Sequence, residues 1–273
     1  MDSILCDLCP HHCVIQNGKR GICKVRENRG GKLFLPYYSY ISSSAIDPIE
    51  KKPLYHFRPG SLIPSFGFVG CNLRCPFCQN WEISQRTECG ARYYTCEQII
   101  NYVSQGGFPH IAYTYSEPLV HYEFLLECMR LAKKNDITNV LVTNGCINKD
   151  YADMILPLTG AANIDLKSFN EDHYKNILGG DLPAVLAFIE NAFSQGVHIE
   201  ITTLVVTGFN DTFEDIDRCL DFIAGISKDI PYHLSAYHPA YQYHAPATDK
   251  TLLLEIAKRA KEKLRFVYPG NIP

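Results

Sequence analysis

The chain contains a compact cysteine motif with the spacing C-x3-C-x2-C, formed by Cys71, Cys75 and Cys78. Iron–sulfur clusters are normally held by four cysteine thiolates, so three thiolates on one loop leave a four-iron cluster one ligand short. The iron without a protein ligand is then open to a second molecule. A zinc site completed by a distant residue is disfavoured, because zinc sites usually show two C-x2-C pairs.

Four further cysteines near the start of the chain form a second group with the spacing C-x2-C-x3-C-x9-C: Cys6, Cys9, Cys13 and Cys23. Four thiols at this density indicate a metal site, either structural zinc or an auxiliary iron–sulfur cluster. His11 and His12 are alternative ligands. We prefer zinc slightly, because the group precedes the regular part of the chain and nothing in the sequence brings it near a substrate.

Composition excludes several other classes of protein. The 273 residues are 46% hydrophobic and carry a net charge of -3, which fits a globular chain with a large core. No long basic run suggests nucleic-acid binding, and no apolar stretch has the roughly 18 residues of a membrane helix. The first residues do not resemble a signal peptide. We therefore expect a cytoplasmic protein with reduced cysteines and with neither nucleic-acid nor membrane partners.

The regular part of the chain must position the first motif. Six strand-like runs alternate with helical runs, at 62–69, 110–115, 139–144, 161–166, 198–206 and 232–237. This alternation predicts an α/β fold with a parallel sheet, although the pattern alone does not separate an open sheet from an incomplete barrel. We expect two parts: residues 1–60, a small Cys-rich metal-binding region with a connector, and residues 61–273, the α/β domain.

Polar residues gather where the predicted strands end. Glu117, Asn144, Asp165, Lys167 and His238 each follow or close an apolar run. In parallel barrels the carboxyl ends of the strands carry the catalytic groups. The sequence therefore places these side chains around the cysteine motif, which itself follows the first strand.

The segment CNLRCPFC, with aromatic Phe77, resembles the cysteine motif of the radical S-adenosylmethionine (SAM) superfamily. That resemblance implies an incomplete (β/α)6 TIM-like barrel and a [4Fe–4S] cluster on Cys71, Cys75 and Cys78. It also implies that SAM binds the open iron and is reductively cleaved to methionine and a 5′-deoxyadenosyl radical. This radical abstracts a hydrogen atom from the substrate.

The same resemblance implies a set of cofactor contacts. Glu117 stands where the superfamily has a Gly-Gly-Glu-Pro-like segment that binds the SAM amino group, although the paired glycines are absent. The Asp165–Lys167 pair resembles the Asp-Leu-Lys of activating enzymes, with a plain ion pair in the barrel interior as the alternative. The expected cofactor-binding residues are Phe77, Gln79, Tyr115, Ser116, Glu117, Asn144, Asp165, Lys167, Thr202 and His238.

Longer segments, among them GCNLRCPFCQNWEIS, NVLVTNG and ANIDLKSF, resemble the pyruvate-formate-lyase-activating-enzyme-like branch, which includes the radical SAM enzyme of the AmmeMemoRadiSam system. This implies an anaerobic oxidoreductase that acts on a protein or peptide residue and receives electrons from flavodoxin or ferredoxin. The Asp-Gly-x-Gly-x-Arg segment of glycyl-radical activating enzymes is absent before Cys71. Two alternatives remain. One is a radical SAM enzyme that acts on a small molecule, and the other is a non-catalytic metal-binding or electron-transfer protein.

Overall fold

The structure is a computed structural model, and it describes residues 3–272. Fourteen strands and seven α-helices alternate along this part of the chain, with short 3-10 and π-helical turns between them. The strands are β1 (Ser3–Cys6), β2 (Cys13–Gln16), β3 (Glu27–Arg29), β4 (Lys32–Phe34), β5 (Tyr40–Ile41), β6 (Ser43–Pro48), β7 (Leu62–Gly67), β8 (Arg92–Tyr93), β9 (His110–Thr114), β10 (Thr138–Thr143), β11 (Thr159–Asp165), β12 (His198–Val205), β13 (Tyr232–Ala236) and β14 (Val267–Gly270). The α-helices are α1 (Trp81–Ser84), α2 (Cys96–Gln105), α3 (Tyr122–Lys134), α4 (Lys149–Ile155), α5 (Leu182–Ser194), α6 (Phe213–Ile226) and α7 (Lys250–Lys263).

Eight of the strands form one sheet in the order β6-β7-β9-β10-β11-β12-β13-β14. All neighbours are parallel except β6, which pairs antiparallel with β7. The six strands predicted from the alternation are β7, β9, β10, β11, β12 and β13. The sheet with its intervening helices confirms the predicted incomplete (β/α)6 barrel of the radical SAM type. The edge strands β6 and β14 were not predicted.

The helices begin where side chains satisfy their free backbone amides. At α2, the Thr95 side chain accepts from the amide of Gln98, and the Gln98 side chain accepts from the amide of Thr95. Asp181 and Asp249 accept in the same way at the starts of α5 and α7. These caps fix where each helix leaves its loop, and so where the preceding strand ends.

The first part of the chain packs against the barrel. The β1–β2 hairpin brings Cys6 opposite Cys13, and Leu8 and Ile15 are buried in the main core. Strand β6 belongs to the large sheet. The chain before residue 61 therefore contributes one strand to the barrel, and the domain division at 60/61 stays a prediction.

Residues 49–61, here called the connector, close the amino end of the barrel. Leu54 is fully buried against Ile63, Ala112 and Val140. The backbone amides of Tyr55 and His56 donate to the buried carboxylate of Glu200 near the start of β12, at 2.9 and 2.7 Å. His56 also hydrogen-bonds the hydroxyl of Tyr268 on β14. The connector thus runs from edge strand β6 to the opposite edge of the sheet. Within residues 3–272, no helix has the length and apolar character needed to span a membrane.

Candidate active site

A cavity of about 420 Å³ lies at the carboxyl ends of the parallel strands. Thr114, Thr143 and Asp165, the last residues of β9, β10 and β11, line it. Most of the side chains predicted to bind a cofactor also line it: Cys71, Cys75, Phe77, Cys78, Gln79, Tyr115, Ser116, Glu117, Asn144, Asp165, Lys167 and Thr202. Residues spread over some 130 positions of sequence therefore meet in one place, as expected where parallel strands end together.

Two of the three motif thiols have hydrogen-bonding neighbours. The sulfur of Cys71 accepts from the amide of Leu73 at 3.3 Å and from Nδ2 of Asn144 at 3.6 Å. The sulfur of Cys78 lies 3.2 Å from the hydroxyl of Ser84. Burial raises the pKa of Cys75 to about 11 and that of Cys71 well above its usual value. Ligation to iron would remove these protons, because the thiolate is the ligand form.

The arrangement fits a multi-iron cluster better than a single ion. Within residues 3–272, no three histidine, cysteine, aspartate or glutamate side chains are grouped so that they could hold one metal ion. Cys71, Cys75 and Cys78 nevertheless line one cavity. A cluster with several irons is held at several metal atoms, so its ligands need not converge on one point. The donor set therefore fits a [4Fe–4S] cluster that Cys71, Cys75 and Cys78 would hold, one ligand short of four.

Glu117 is held by three protein donors. Oε1 accepts from the amide of Leu119 at 3.0 Å and from the hydroxyl of Thr143 at 2.7 Å, while Oε2 accepts from the amide of Asn144 at 2.8 Å. Burial raises the pKa of Glu117 to about 7, although these three donors oppose the shift. A carboxylate has about four acceptor positions, so one remains for a cationic group in the cavity.

Asp165 and Lys167 form an ion pair at the end of β11, with Lys167 Nζ 2.9 Å from Asp165 Oδ2. Burial opposes the charge on Lys167, but Asp165 and the nearby Cys75 outweigh it and raise the pKa of Lys167. The ion-pair alternative is thus present in the structure. Both side chains also line the cavity, so the pair is available to a bound ligand as well.

Tyr115 has an unusual backbone conformation for a residue with a side chain. Its φ is +67°, in the left-handed region that favours glycine. Its hydroxyl donates to Asp47 Oδ2 at 2.6 Å, and the ammonium of Lys52 lies 4.3 Å from its ring centroid. A Cβ on Gly67 would come within 2.9 Å of the Tyr115 ring. The absence of a side chain at Gly67 therefore makes room for Tyr115.

Of the remaining predicted residues, four line the cavity and one does not. Phe77 is buried and packs on Phe209, whereas Gln79 is exposed at the cavity rim. The hydroxyl of Thr202 donates to Asn163, and that of Ser116 donates to the carbonyl of Phe68. Within residues 3–272, His238 is not one of the residues that line the cavity. Its Nε2 lies 3.2 Å from the carbonyl oxygen of Asn271.

Sequence reasoning missed ten polar residues that line the cavity within residues 3–272: Lys51, Lys52, Asn80, Ser84, Gln85, Thr114, Thr143, Asn163, Ser235 and Asn271. The segment DPIEKKPLYHF did stand out in the sequence, but only as a connector. Its two adjacent lysines, Lys51 and Lys52, were the available signal. Asn163 and Ser235 lie within predicted strands, and a period of two would have placed Asn163 on the same face as Asp165.

The N-terminal cysteines lie close to one another but outside this cavity. Burial raises the pKa of Cys6, Cys9 and Cys23, and the nearby thiols contribute to each of these shifts. Cys6 and Cys13 face each other across the β1–β2 hairpin. The four thiols are not grouped as a ready site for a single ion in the described chain, so the preference for zinc gains no support from the geometry.

The fold and the cavity define an iron–sulfur enzyme of one family, and sequence comparison agrees. The Radical SAM superfamily profile matches residues 66–223. The chain belongs to the radical SAM superfamily. Membership implies a [4Fe–4S] cluster and SAM as cofactors.

Two relatives and one solved structure show how far this similarity extends. An uncharacterized protein of Methanocaldococcus jannaschii, MJ0808, is 39% identical over 277 residues, covering 100% of this chain and 82% of the relative. The pyruvate formate-lyase 1-activating enzyme of Escherichia coli is 25% identical, covering 75% of this chain and 85% of that enzyme. Streptococcus suis SuiB bound to S-adenosylmethionine shares the fold, with a TM-score of 0.59, at 14% identity over 75% of this chain and 49% of SuiB.

Proposed function

We propose that this protein is an activating-enzyme-like radical SAM oxidoreductase that abstracts a hydrogen atom from a residue of a protein or peptide. The cavity carries the proposal, because it brings the three motif thiols together with Glu117, Asn144 and the Asp165–Lys167 pair. When bound, the cluster and SAM supply the reductive cleavage that yields methionine and a 5′-deoxyadenosyl radical.

The residues of the chain have distinct tasks in this reaction. Cys71, Cys75 and Cys78 hold the cluster. Glu117, with one acceptor position left, binds the amino group of SAM by a charge-assisted hydrogen bond. Phe77, Gln79, Tyr115, Ser116, Asn144, Thr202 and the Asp165–Lys167 pair complete the cofactor site. His238 is proposed for the SAM carboxylate, which requires it to leave its contact with Asn271.

Two features favour a protein or peptide substrate. The cavity is small, near the lower end of the ~300–1,000 Å³ typical of ligand pockets, so SAM would take up much of it. The segments after β9, β10 and β12 are short, and helical turns begin at Pro118, Lys149 and Phe213. A single residue that protrudes from a partner fits such a site better than a large free ligand does.

The surface around the cysteine motif suits an acidic electron carrier, and we propose flavodoxin or ferredoxin. Three exposed basic side chains, Lys24, Arg74 and Arg86, lie on or near this loop, against two exposed carboxylates, Glu82 and Glu88. Lys24 donates to the carbonyl of Gln85, and the guanidinium of Arg86 lies 4.2 Å from the Trp81 ring centroid. Positive charge around the cluster loop would steer an acidic partner, so the rate of reduction should fall as salt rises.

We also propose a second metal site at Cys6, Cys9, Cys13 and Cys23, either zinc or an auxiliary iron–sulfur cluster. The mutual influence of the thiols on their pKa values supports their proximity. Four buried or half-buried thiols in one small region have no other evident use. Metal analysis of the purified protein decides between the two.

The test is an anaerobic incubation of the iron-reconstituted protein with SAM, dithionite and candidate partner proteins. We expect 5′-deoxyadenosine to form in proportion to modification of one partner residue, measured by mass spectrometry and by the electron paramagnetic resonance of a protein radical. Formation of 5′-deoxyadenosine that only small molecules stimulate would contradict the protein substrate.

Matched cysteine variants make the test specific. Cys75→Ala should abolish 5′-deoxyadenosine formation, because a cluster ligand is lost. Cys89→Ala removes a thiol outside both groups and should retain it. Full product formation by Cys75→Ala would show that the cavity thiols do not hold the cluster.

A further inference from the structure

Two lysines of the connector face the cavity, and the cofactor roles above do not use them. Lys51 and Lys52 both line it, whereas Asp47 is not among the lining residues of the described chain. Lys52 Nζ lies 2.8 Å from Asp47 Oδ2, and Lys51 Nζ lies 3.5 Å from Asp47 Oδ1. Both lysines therefore belong to the cavity wall, whereas the residue whose carboxylate they share does not.

The charges of Lys51, Lys52 and Asp47 do not cancel. Two ammonium groups against the single carboxylate of Asp47 leave one positive charge. The side chain of Lys52 is only 3% exposed, and buried lysines are rare unless they are paired or used. An ammonium has three donors, and the hydrogen bond to Asp47 uses one of them. Lys52 can therefore donate to a ligand in the cavity.

The backbone is strained at Tyr115, which contacts both Asp47 and Lys52. Tyr115 keeps a positive φ while its hydroxyl donates to Asp47 and its ring faces Lys52. A non-glycine residue in the left-handed region is strained, and such strain is concentrated at functional sites. Gly67 leaves the space that the Tyr115 ring needs. Asp47, Tyr115 and Gly67 thus fix the position of the Lys52 ammonium group.

We propose that Lys52, assisted by Lys51, binds an oxyanion of the substrate, a carboxylate or a phosphate, beside the SAM site. This inference rests on the proposed function, since it assigns the substrate of the same cavity. Asp47 and Tyr115 are positioning residues that hold Lys52 against the cavity. The substrate residue that reacts would therefore lie next to an acidic or phosphorylated group of the partner.

The test uses acetate and inorganic phosphate as probes of the reconstituted protein saturated with SAM. Nuclear magnetic resonance of ¹³C-acetate and ³¹P-phosphate measures binding. We expect Lys52→Gln to weaken the preferred anion at least tenfold. Lys51→Gln, an exposed position where folding is not at risk, should weaken it by about threefold. Lys228→Gln, on the loop between α6 and β13, is the control without effect.

The outcomes distinguish the sources of the anion. Tighter acetate binding identifies a carboxylate substrate, and tighter phosphate binding identifies a phosphorylated one. If the anions compete with SAM and Lys52→Gln weakens SAM to the same degree, the group binds the carboxylate of SAM and the proposal is wrong. It is also wrong if wild-type protein binds neither anion. That result would leave hydrogen abstraction from a protein residue intact, because product formation is measured separately.

Discussion

Nε2 of His11 donates to the backbone carbonyl of Asn72 at 2.8 Å, since a carbonyl oxygen can only accept. Asn72 directly follows Cys71, and its side chain accepts from Asn144 at 3.0 Å and donates to the carbonyl of Cys146 at 2.6 Å. His11 lies between the second and third cysteines of the N-terminal group. The two cysteine groups are therefore joined through one residue, a proximity that the sequence did not reveal.

This contact bears on the N-terminal cysteines. Cys9→Ser should destabilise the region before residue 30 but leave iron bound at the 71–78 motif. Leu8, Ile15 and Val25 are buried there, so the loss should be partial. Elemental analysis of the wild type checks the metal: one zinc beside about four irons indicates a zinc site, and about eight irons an auxiliary cluster. Four irons without zinc would show that the group binds no metal.

Glu117→Gln should weaken SAM binding. The variant keeps the size of the side chain but loses the charge that attracts an ammonium group, and a hydrogen bond to a charged group is worth roughly 1.5–3 kcal/mol. The expected loss in affinity is about tenfold to over a hundredfold. Calorimetry with the reconstituted protein measures it, and an unchanged dissociation constant would remove Glu117 from the SAM site.

Glu200 should make the protein sensitive to acid. Burial alone would raise its pKa, but hydrogen bonds from His198, His233 and two connector amides lower the pKa of Glu200 from 4.5 to about 2. A lowered pKa adds stability that is full above about pH 4.5 and disappears as pH falls towards 2, at most about 3 kcal/mol here. Glu200→Gln should flatten this part of the pH profile in urea unfolding. A profile as steep as that of the wild type would contradict the assignment.

Gly67→Ala should destabilise the protein by about 1–3 kcal/mol, because the new methyl group meets the Tyr115 ring at 2.9 Å. Tyr115→Gly added to it should restore much of the loss, since glycine removes the ring and accepts the positive φ. Urea unfolding of the two single variants and the double variant measures this coupling. Gly225→Ala, on α6 with nothing within 4 Å, is the control. Additive effects would show that the two positions do not interact.

Local sequence patterns predicted the central strands of the barrel but not its edge strands. Strand β7 and strands β9 to β13 were found because short apolar runs alternate with helical runs. Strand β14 contains Pro269 and Gly270, and both residues normally argue against a strand. Helix α4 has only 7 residues, too few to show a helical period. Short and Pro- or Gly-containing elements acquire their structure from neighbours in space, which a local pattern does not contain.

Some residues of the candidate site could likewise be predicted from the sequence, and others could not. The cysteine motif and Glu117 could be found because each belongs to a short motif of adjacent residues. The contact between Asp47 and Tyr115 joins positions 68 residues apart, and no spacing in the sequence announces it. The positive φ of Tyr115 was equally hidden, because its residue type argues for the opposite conformation.

The connector closes one of the two ends of the barrel. Leu54 is fully buried at the amino end, and Glu200 holds the connector there through two backbone amides, so we expect SAM and substrate to enter at the carboxyl end. Glu117 is 1% exposed and the side chain of Lys52 is 3% exposed, so the groups proposed for SAM and for the substrate anion both lie deep in the cavity. A bound protein partner would cover that end, so SAM should bind before the partner and its fragments should leave after it. A partner that leaves slowly would trap 5′-deoxyadenosine behind it, and its departure would then set the turnover rate.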